Sequence, residues 1–400
     1  MNETANRSPK ETEVPAALAA GAAPPADRPG GAGRPAAPAR GLPWRAGLLA
    51  GLRSGTPLLY LASFGVALAA ATVLVTLAGH SMADTVLALY QGSLEGGASI
   101  GQTIDEAAPL LLVAVGAIVC ARAGIFNIGQ EGQLIVGAMA GAAVALFLPG
   151  PGWLILPLTL ICATAAGAVW AGVPAVLFYW RRVDVVISTL LMVFAAMQLV
   201  SFAVNRDYLL QETAIKGQIL SPQSDLLPET ARLPRLGEYP DFNLGGGVLV
   251  ALLVTGVIAF LLKYGRWGFR LRMLGLNPVA ARRTGVRAAA LGGGALLLSG
   301  GFAGLAGGVM LTGNVYRIQA GFADNVGWEG LLVALVARNH PLLAIPVAVF
   351  FGALRAGGGF LASTGVPRYL VSVVTALLVL AAVFPSAYAE IRSRRRPAER

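Results

Sequence analysis

Asn127-Ile128-Gly129-Gln130-Glu131-Gly132-Gln133-Leu134 sets a carboxylate, an asparagine and two glutamines among glycines, with apolar sequence on both sides. In hydrocarbon such groups are costly unless they line a cavity or pair internally. The chain nearly repeats the stretch at Asn325-Val326-Gly327-Trp328-Glu329-Gly330-Leu331-Leu332. Both copies fit N-[I/V]-G-x-E-G-x-L, and they stand 198 residues apart in a chain of 400. Shared polar chemistry at matching places in two halves points to an internal repeat, with function where the copies lie.

The composition around the two copies is that of a membrane protein. The chain is 56% hydrophobic and 12% charged, with a mean hydropathy of +0.68, whereas a soluble domain carries roughly 25% charged residues. The net charge of +10 is distributed by topology, not as a nucleic-acid surface. No Lys or Arg lies between Arg53 and Arg122, while seven fall from Lys263 to Arg287 with no acid among them. That is the bias of cytoplasmic loops. Cys120 and Cys162 lie in apolar spans and read as packing residues. His80 and His340 are solitary, so no metal site is expected.

The expected fold is an all-α polytopic membrane protein with about ten transmembrane helices. Crossing needs about 20 apolar residues, and spans are placed near 57–79, 106–121, 130–148, 153–178, 184–204, 245–262, 289–312, 327–338, 341–356 and 369–388. Residues 1–45, rich in Ala, Pro, Gly and Arg, form a disordered cytoplasmic tail without a cleavable signal. Residues 46–390 form the transmembrane domain, with a basic cytoplasmic loop at 263–288 and an extracytoplasmic loop at 205–243. Residues 391–400 are a basic cytoplasmic tail. The segment 80–104, with Asp84 and Glu95 and no cation, lies outside. With both termini inside, the cytoplasmic segments hold most of the 30 basic residues. The span after Asn127 then runs outward and the span after Asn325 runs inward. The repeat is inverted, an arrangement that puts a solute site near the midplane.

The loop at 263–288 contains Gly275-Leu-Asn277-Pro278-Val-Ala280-Ala281-Arg282-Arg283-Thr-Gly285-Val286. Asn277 is placed as a helix N-cap, Pro278 as the first helical residue and Gly285 as the stop. One account of this short basic helix is interfacial anchoring on anionic lipids.

Together, Arg122–Ala138, Arg181–Thr189, Gly268–Val286 and Gly327–Gly352 resemble the permease subunits of ATP-binding-cassette importers for simple sugars and nucleosides. The resemblance covers roughly residues 57–390. Its most specific parts are Arg122-Ala-Gly-Ile-Phe-Asn-Ile-Gly-Gln-Glu-Gly-Gln133 and the Gly275–Val286 motif. It implies that Gly275, Asn277, Pro278, Ala280, Ala281 and Gly285 form a coupling helix docking on an ATPase, with Arg282 and Arg283 pairing acids there. It further implies a second permease subunit (a copy or a homologue), an extracytoplasmic solute-binding lipoprotein and a place among the lipids of a bacterial plasma membrane. The nucleoside branch is matched best around Arg182–Thr189. There Asp184 replaces the family's Glu, and Leu191-Met192-Val193-Phe194 stands for its Met-Leu-Asn-Tyr.

The expected substrate path is Phe126, Asn127, Gln130, Glu131 and Gln133 with Asn325, Trp328 and Glu329. The carboxylates either bind solute hydroxyls or cap helix starts. The two aromatic rings either stack on a base or sugar face or simply pack. Asp184 is read as a span boundary, Arg355 as a cation snorkelling to the outer interface, and Trp153, Tyr179 and Trp180 as an aromatic belt. No cofactor is expected. A phosphate-binding loop needs Gly-Lys-[Ser/Thr], and the three lysines follow Pro9, Ile215 and Leu262. ATP hydrolysis is therefore assigned to a partner, and the chain is read as a transport subunit without catalytic residues. The rival account is an ion-coupled secondary transporter, for which Glu131 and Glu329 are the candidate titrating groups.

Overall fold

A computed structural model describes residues 56–77, 79–213, 221–237, 244–363 and scattered positions between 373 and 388. Both tails, and most of the span expected at 369–388, lie outside the described residues. Twelve α-helices are described: α1 (Thr56–Leu77), α2 (Met82–Ser93), α3 (Gly96–Arg122), α4 (Gln130–Phe147), α5 (Gly152–Arg181), α6 (Val185–Ala203), α7 (Gly247–Tyr264), α8 (Arg266–Leu276), α9 (Pro278–Arg283), α10 (Ala288–Met310), α11 (Val326–Val336) and α12 (Pro341–Ser363). A π-turn, Leu311–Val315, extends α10.

Among the described residues, seven helices are long and apolar enough to cross a membrane: α3 to α7, α10 with its π-turn, and α12. An eighth crossing is possible if α1 and α2, bent by 109° at their junction, count as one broken span. The crossing expected at 327–338 is corrected. It is the 11-residue helix α11, about 16 Å long at 1.5 Å per residue, half of a hydrocarbon core of roughly 30 Å. The span expected at 106–121 starts earlier, at Gly96, because the helix continues through Pro109.

The bundle is organised around α10. Lipid tails are as apolar as leucine, so helices in a membrane associate through close packing and small residues. On α10 those residues are Gly300, Gly304 and Gly307. A Cβ on Gly304 would strike the Ala163 carbonyl of α5, and one on Gly307 would strike the Leu134 carbonyl of α4. Helix α3 is also enclosed, with every residue from Ala107 to Cys120 buried. By contrast α5, α6 and α7 leave Ile161, Leu191, Phe194, Leu253 and Phe260 exposed, as a lipid-facing layer requires.

Two sets of contacts mark opposite ends of the bundle. At one end Arg122 Nη2 donates to the Asn339 carbonyl at 2.9 Å, and Gly275 abuts the backbone of Arg122 and Gly124. Here α9 starts as expected. The Asn277 side chain accepts from Val279 N at 3.1 Å and Ala280 N at 3.0 Å, and Gly285 has φ +83°. At the other end, residues 224–233 are tied to the segment after α10. Ser224 N donates to the Ile318 carbonyl, Leu227 N to Tyr316 and Leu233 N to Thr312, each at 2.8 Å. A two-residue antiparallel ladder pairs Arg235–Leu236 with Leu244–Gly245 beside them.

The crowding on α10 gives a discriminating prediction. Gly304→Ala forces a methyl into backbone and should destabilise by about 1–3 kcal/mol. Gly301→Ala places its Cβ 3.4 Å from Thr164 Cγ2, an ordinary contact, and should be neutral. Thermal unfolding in detergent checks this, and equal melting of the two variants would refute the packing account.

Candidate functional site

After α3 the chain turns at Gly124, with φ +74°, runs without helix through Ile125–Ile128 and enters α4 at Gln130. The two motif copies meet there. Glu131 Oε1 accepts from Asn325 N at 3.0 Å, and Oε2 accepts from Gly327 N at 2.6 Å. Glu131 thus satisfies backbone donors of α11 that no helical carbonyl can reach. The approach is close, since a Cβ on Gly327 would strike the Glu131 backbone.

The geometry of the ends fixes the depth of this contact. α11 finishes beside Arg122, at the Asn339 turn. Its start is about 16 Å away, roughly half a hydrocarbon thickness. α4 departs the other way, because α5 begins at Gly152 against Thr230 of the opposite end. Two helix starts therefore converge near the middle of the bundle, with their positive dipole ends on one carboxylate.

The two glutamates have different partners despite matching positions. Glu131 caps the start of α11, a helix of the other copy. Glu329 Oε2 instead accepts from Arg355 Nη1 at 3.0 Å. The expectation for Arg355 is corrected here. Its side chain does not snorkel outward but is only 14% exposed, paired with Glu106, Glu329 and Asp324. Carboxylates from α3, α11 and the turn before α11 hold the guanidinium in place.

The other polar members form a buried network. Asn127 Nδ2 donates to Gln133 Oε1 at 2.9 Å and to Ser299 Oγ at 3.0 Å, and Gln133 Nε2 donates back to Asn127 Oδ1 at 3.2 Å. Gly129 N also donates to Asn127 Oδ1, at 3.0 Å. Gln130 Nε2 donates to the Val113 carbonyl at 2.8 Å and to Ser299 Oγ at 3.3 Å. Gln130 Oε1 meets no donor among the described residues, which leaves one buried acceptor free. Ser299 of α10 belongs to the network and carries no sequence signal, being one hydroxyl in a span of Gly, Ala and Leu.

Phe126 and Asn325 are exposed and Trp328 is half-buried. Asp184 is the N-cap of α6, accepting from Val186 N at 2.8 Å and Ile187 N at 3.1 Å, as a span boundary should. Val193, which stands in place of the family's amide, is buried where α6 meets α4: a Cβ on Gly132 would lie 2.8 Å from its Cα.

A polytopic α-helical protein with polar groups gathered where helix starts converge has the architecture of a membrane transporter. Comparison with known proteins defines it further. Residues 99–383 match the family described as branched-chain amino acid transport system / permease component. The chain is 32% identical over 316 residues to the guanosine ABC transporter permease protein NupP of Bacillus subtilis, covering 78% of this chain and 89% of that protein. It is 34% identical over 342 residues to the glucose ABC transporter permease protein TsgB13 of Haloferax volcanii, covering 82% and 87%. It is 27% identical over 297 residues to the nucleoside ABC transporter permease protein NupB of Lactococcus lactis, covering 73% and 80%. The chain belongs to this permease family.

The bridge at Glu131 predicts a graded series. Glu131→Ala strands two backbone N–H groups, at about 1–3 kcal/mol for each donor left unmet. Glu131→Gln keeps one acceptor and should lose less. Melting temperatures in detergent should rank wild type above Gln above Ala, and three equal values would rule the bridge out as a stabilising contact.

Proposed function

We propose that the protein is the transmembrane subunit of an ATP-binding-cassette importer and forms the path for a small polar solute, a nucleoside or a simple sugar. The observation that carries this reading is the pair of converging helix starts at half depth, in a chain about one-third identical to guanosine and glucose permeases. Transport is by alternating access: two inverted halves rock about the contact between Glu131 and α11. The Arg122–Asn339 side of the bundle faces the cytoplasm, both termini are assigned to that compartment by charge, and the 205–243 connection faces outward, where a solute-binding lipoprotein delivers the solute. A second permease subunit completes the pathway.

The side chains divide by exposure. Phe126, Asn325 and Trp328 have free surface to offer the solute, whereas the unmet Oε1 of Gln130 is buried. Asn127 and Gln133 are occupied with each other and Ser299, Glu131 with the first amides of α11, and Glu329 with Arg355.

The ATPase docks on α9. Asn277, Pro278, Ala280, Arg282, Arg283 and Gly285 are exposed, and the two arginines suit acids on that partner. Ala281 is buried and Gly275 is pressed against the Arg122 carbonyl, so these two seat α9 on the bundle. Ion coupling is the weaker account, because both candidate carboxylates have structural partners.

Two outcomes test the proposal. Replacing Asn277–Ala281 with a Gly/Ser linker should abolish co-purification of the ATPase while the permease still inserts, and retained association would refute the docking assignment. Solute uptake in vesicles should require ATP and the ATPase. Uptake driven by a proton gradient with no ATPase present would overturn the importer reading.

A further inference from the structure

Arg355 belongs to neither motif copy, yet its guanidinium serves four acceptors on three other stretches of chain. Nε donates to Glu106 Oε2 of α3 at 3.0 Å, and Nη1 to Glu329 Oε2 of α11 at 3.0 Å. Nη1 also donates to the Asp324 carbonyl at 3.0 Å, and Nη2 to the Asp324 carboxylate at 3.2 Å. The planar fork of arginine suits such divided contacts, whereas a lysine ammonium is a single point charge.

What it grips is a left-handed turn. Asp324 and Asn325 are consecutive and both left-handed, with φ of 43° and 66°. Asp and Asn enter that region more readily than other residues with a Cβ, and two in a row make a sharp turn whose direction depends on what holds it. Here the turn is pinned from two directions, by Arg355 on Asp324 and by Glu131 on the amides of Asn325 and Gly327. Asn325 is exposed and Trp328 lies one turn further along α11.

We propose that Arg355 is a positioning residue for transport. It holds the Asp324–Asn325 turn so that the start of α11 stays seated on Glu131 and presents Asn325 and Trp328 toward the solute path. The transport half of this inference rests on the permease reading above; the hold on α11 stands on the geometry alone.

The test is hydrogen exchange on the full-length chain in detergent, followed over peptides spanning 322–330. In Arg355→Gln, exchange at Asn325–Gly327 should quicken about ten-fold, while peptides from α5 and α10 stay within about two-fold of wild type. Arg355→Lys, with the charge but not the fork, should fall between. Asp324→Ala, altering a side chain that is 75% exposed, should show the same local change if Arg355→Gln fails to fold. In proteoliposomes with the ATPase, Arg355→Gln should still bind that partner but carry about five-fold less solute per ATP hydrolysed, with partial rescue by Lys. Exchange that is unchanged at 325–327, or raised evenly along the chain, overturns the proposal, as does wild-type coupling in Arg355→Gln. Failure of the wild type to transport would sink the permease reading instead, and is read separately from the exchange data.

Discussion

Two short contacts from one carboxylate join the two motif copies of this protein. Glu131 stands at the start of α4 and accepts from the first amides of α11. Without it, the first amides of α11 would lose the acceptor that stands in for a preceding turn, and that of Gly327 is buried. A half-length helix is tolerable at this depth because another helix start supplies its cap. The glycines of both copies follow from the same contact, since Gly327 must lie against the Glu131 backbone.

The rest of the bundle serves that meeting point. α10 passes beside it, and its glycines bring α4 and α5 within backbone contact. Ser299 on α10 then reaches both Asn127 and Gln130. Close packing surrounds the polar network as well, since a Cβ on Gly116 of α3 would meet the Ser299 carbonyl at 2.9 Å and Gln130 Nε2 at 3.0 Å. Polar groups that would be unstable separately in hydrocarbon become a connected set.

Identical motif letters do not impose identical chemistry. Glu131 and Glu329 occupy the same position in N-[I/V]-G-x-E-G-x-L, yet one caps a helix and the other meets a guanidinium. The difference comes from α12, which brings Arg355 to one copy only. Asp324 and Asn325, held in left-handed conformations on that same side, show where the second copy departs from the first.

Several features were legible in the residues alone, each for a local reason. Apolar length located seven crossing helices, because the bilayer sets that length. Asn277-Pro278 and Gly285 marked the ends of α9, since capping depends on adjacent backbone. The repeat marked both polar copies. Other features depended on distant parts of the chain coming together. Ser299 had no signal because its partners lie 172 and 169 residues away in sequence. Arg355 looked like an interfacial cation because its carboxylates come from α3, α11 and the turn before α11. The 327–338 stretch counted as a crossing by composition, and only the tertiary structure shows that its helix begins at half depth, on Glu131. Sequence determined which residues would be polar inside the membrane. The tertiary structure decided which of them hold one another and which are left free, because a hydrogen bond depends on distances that hydropathy does not encode.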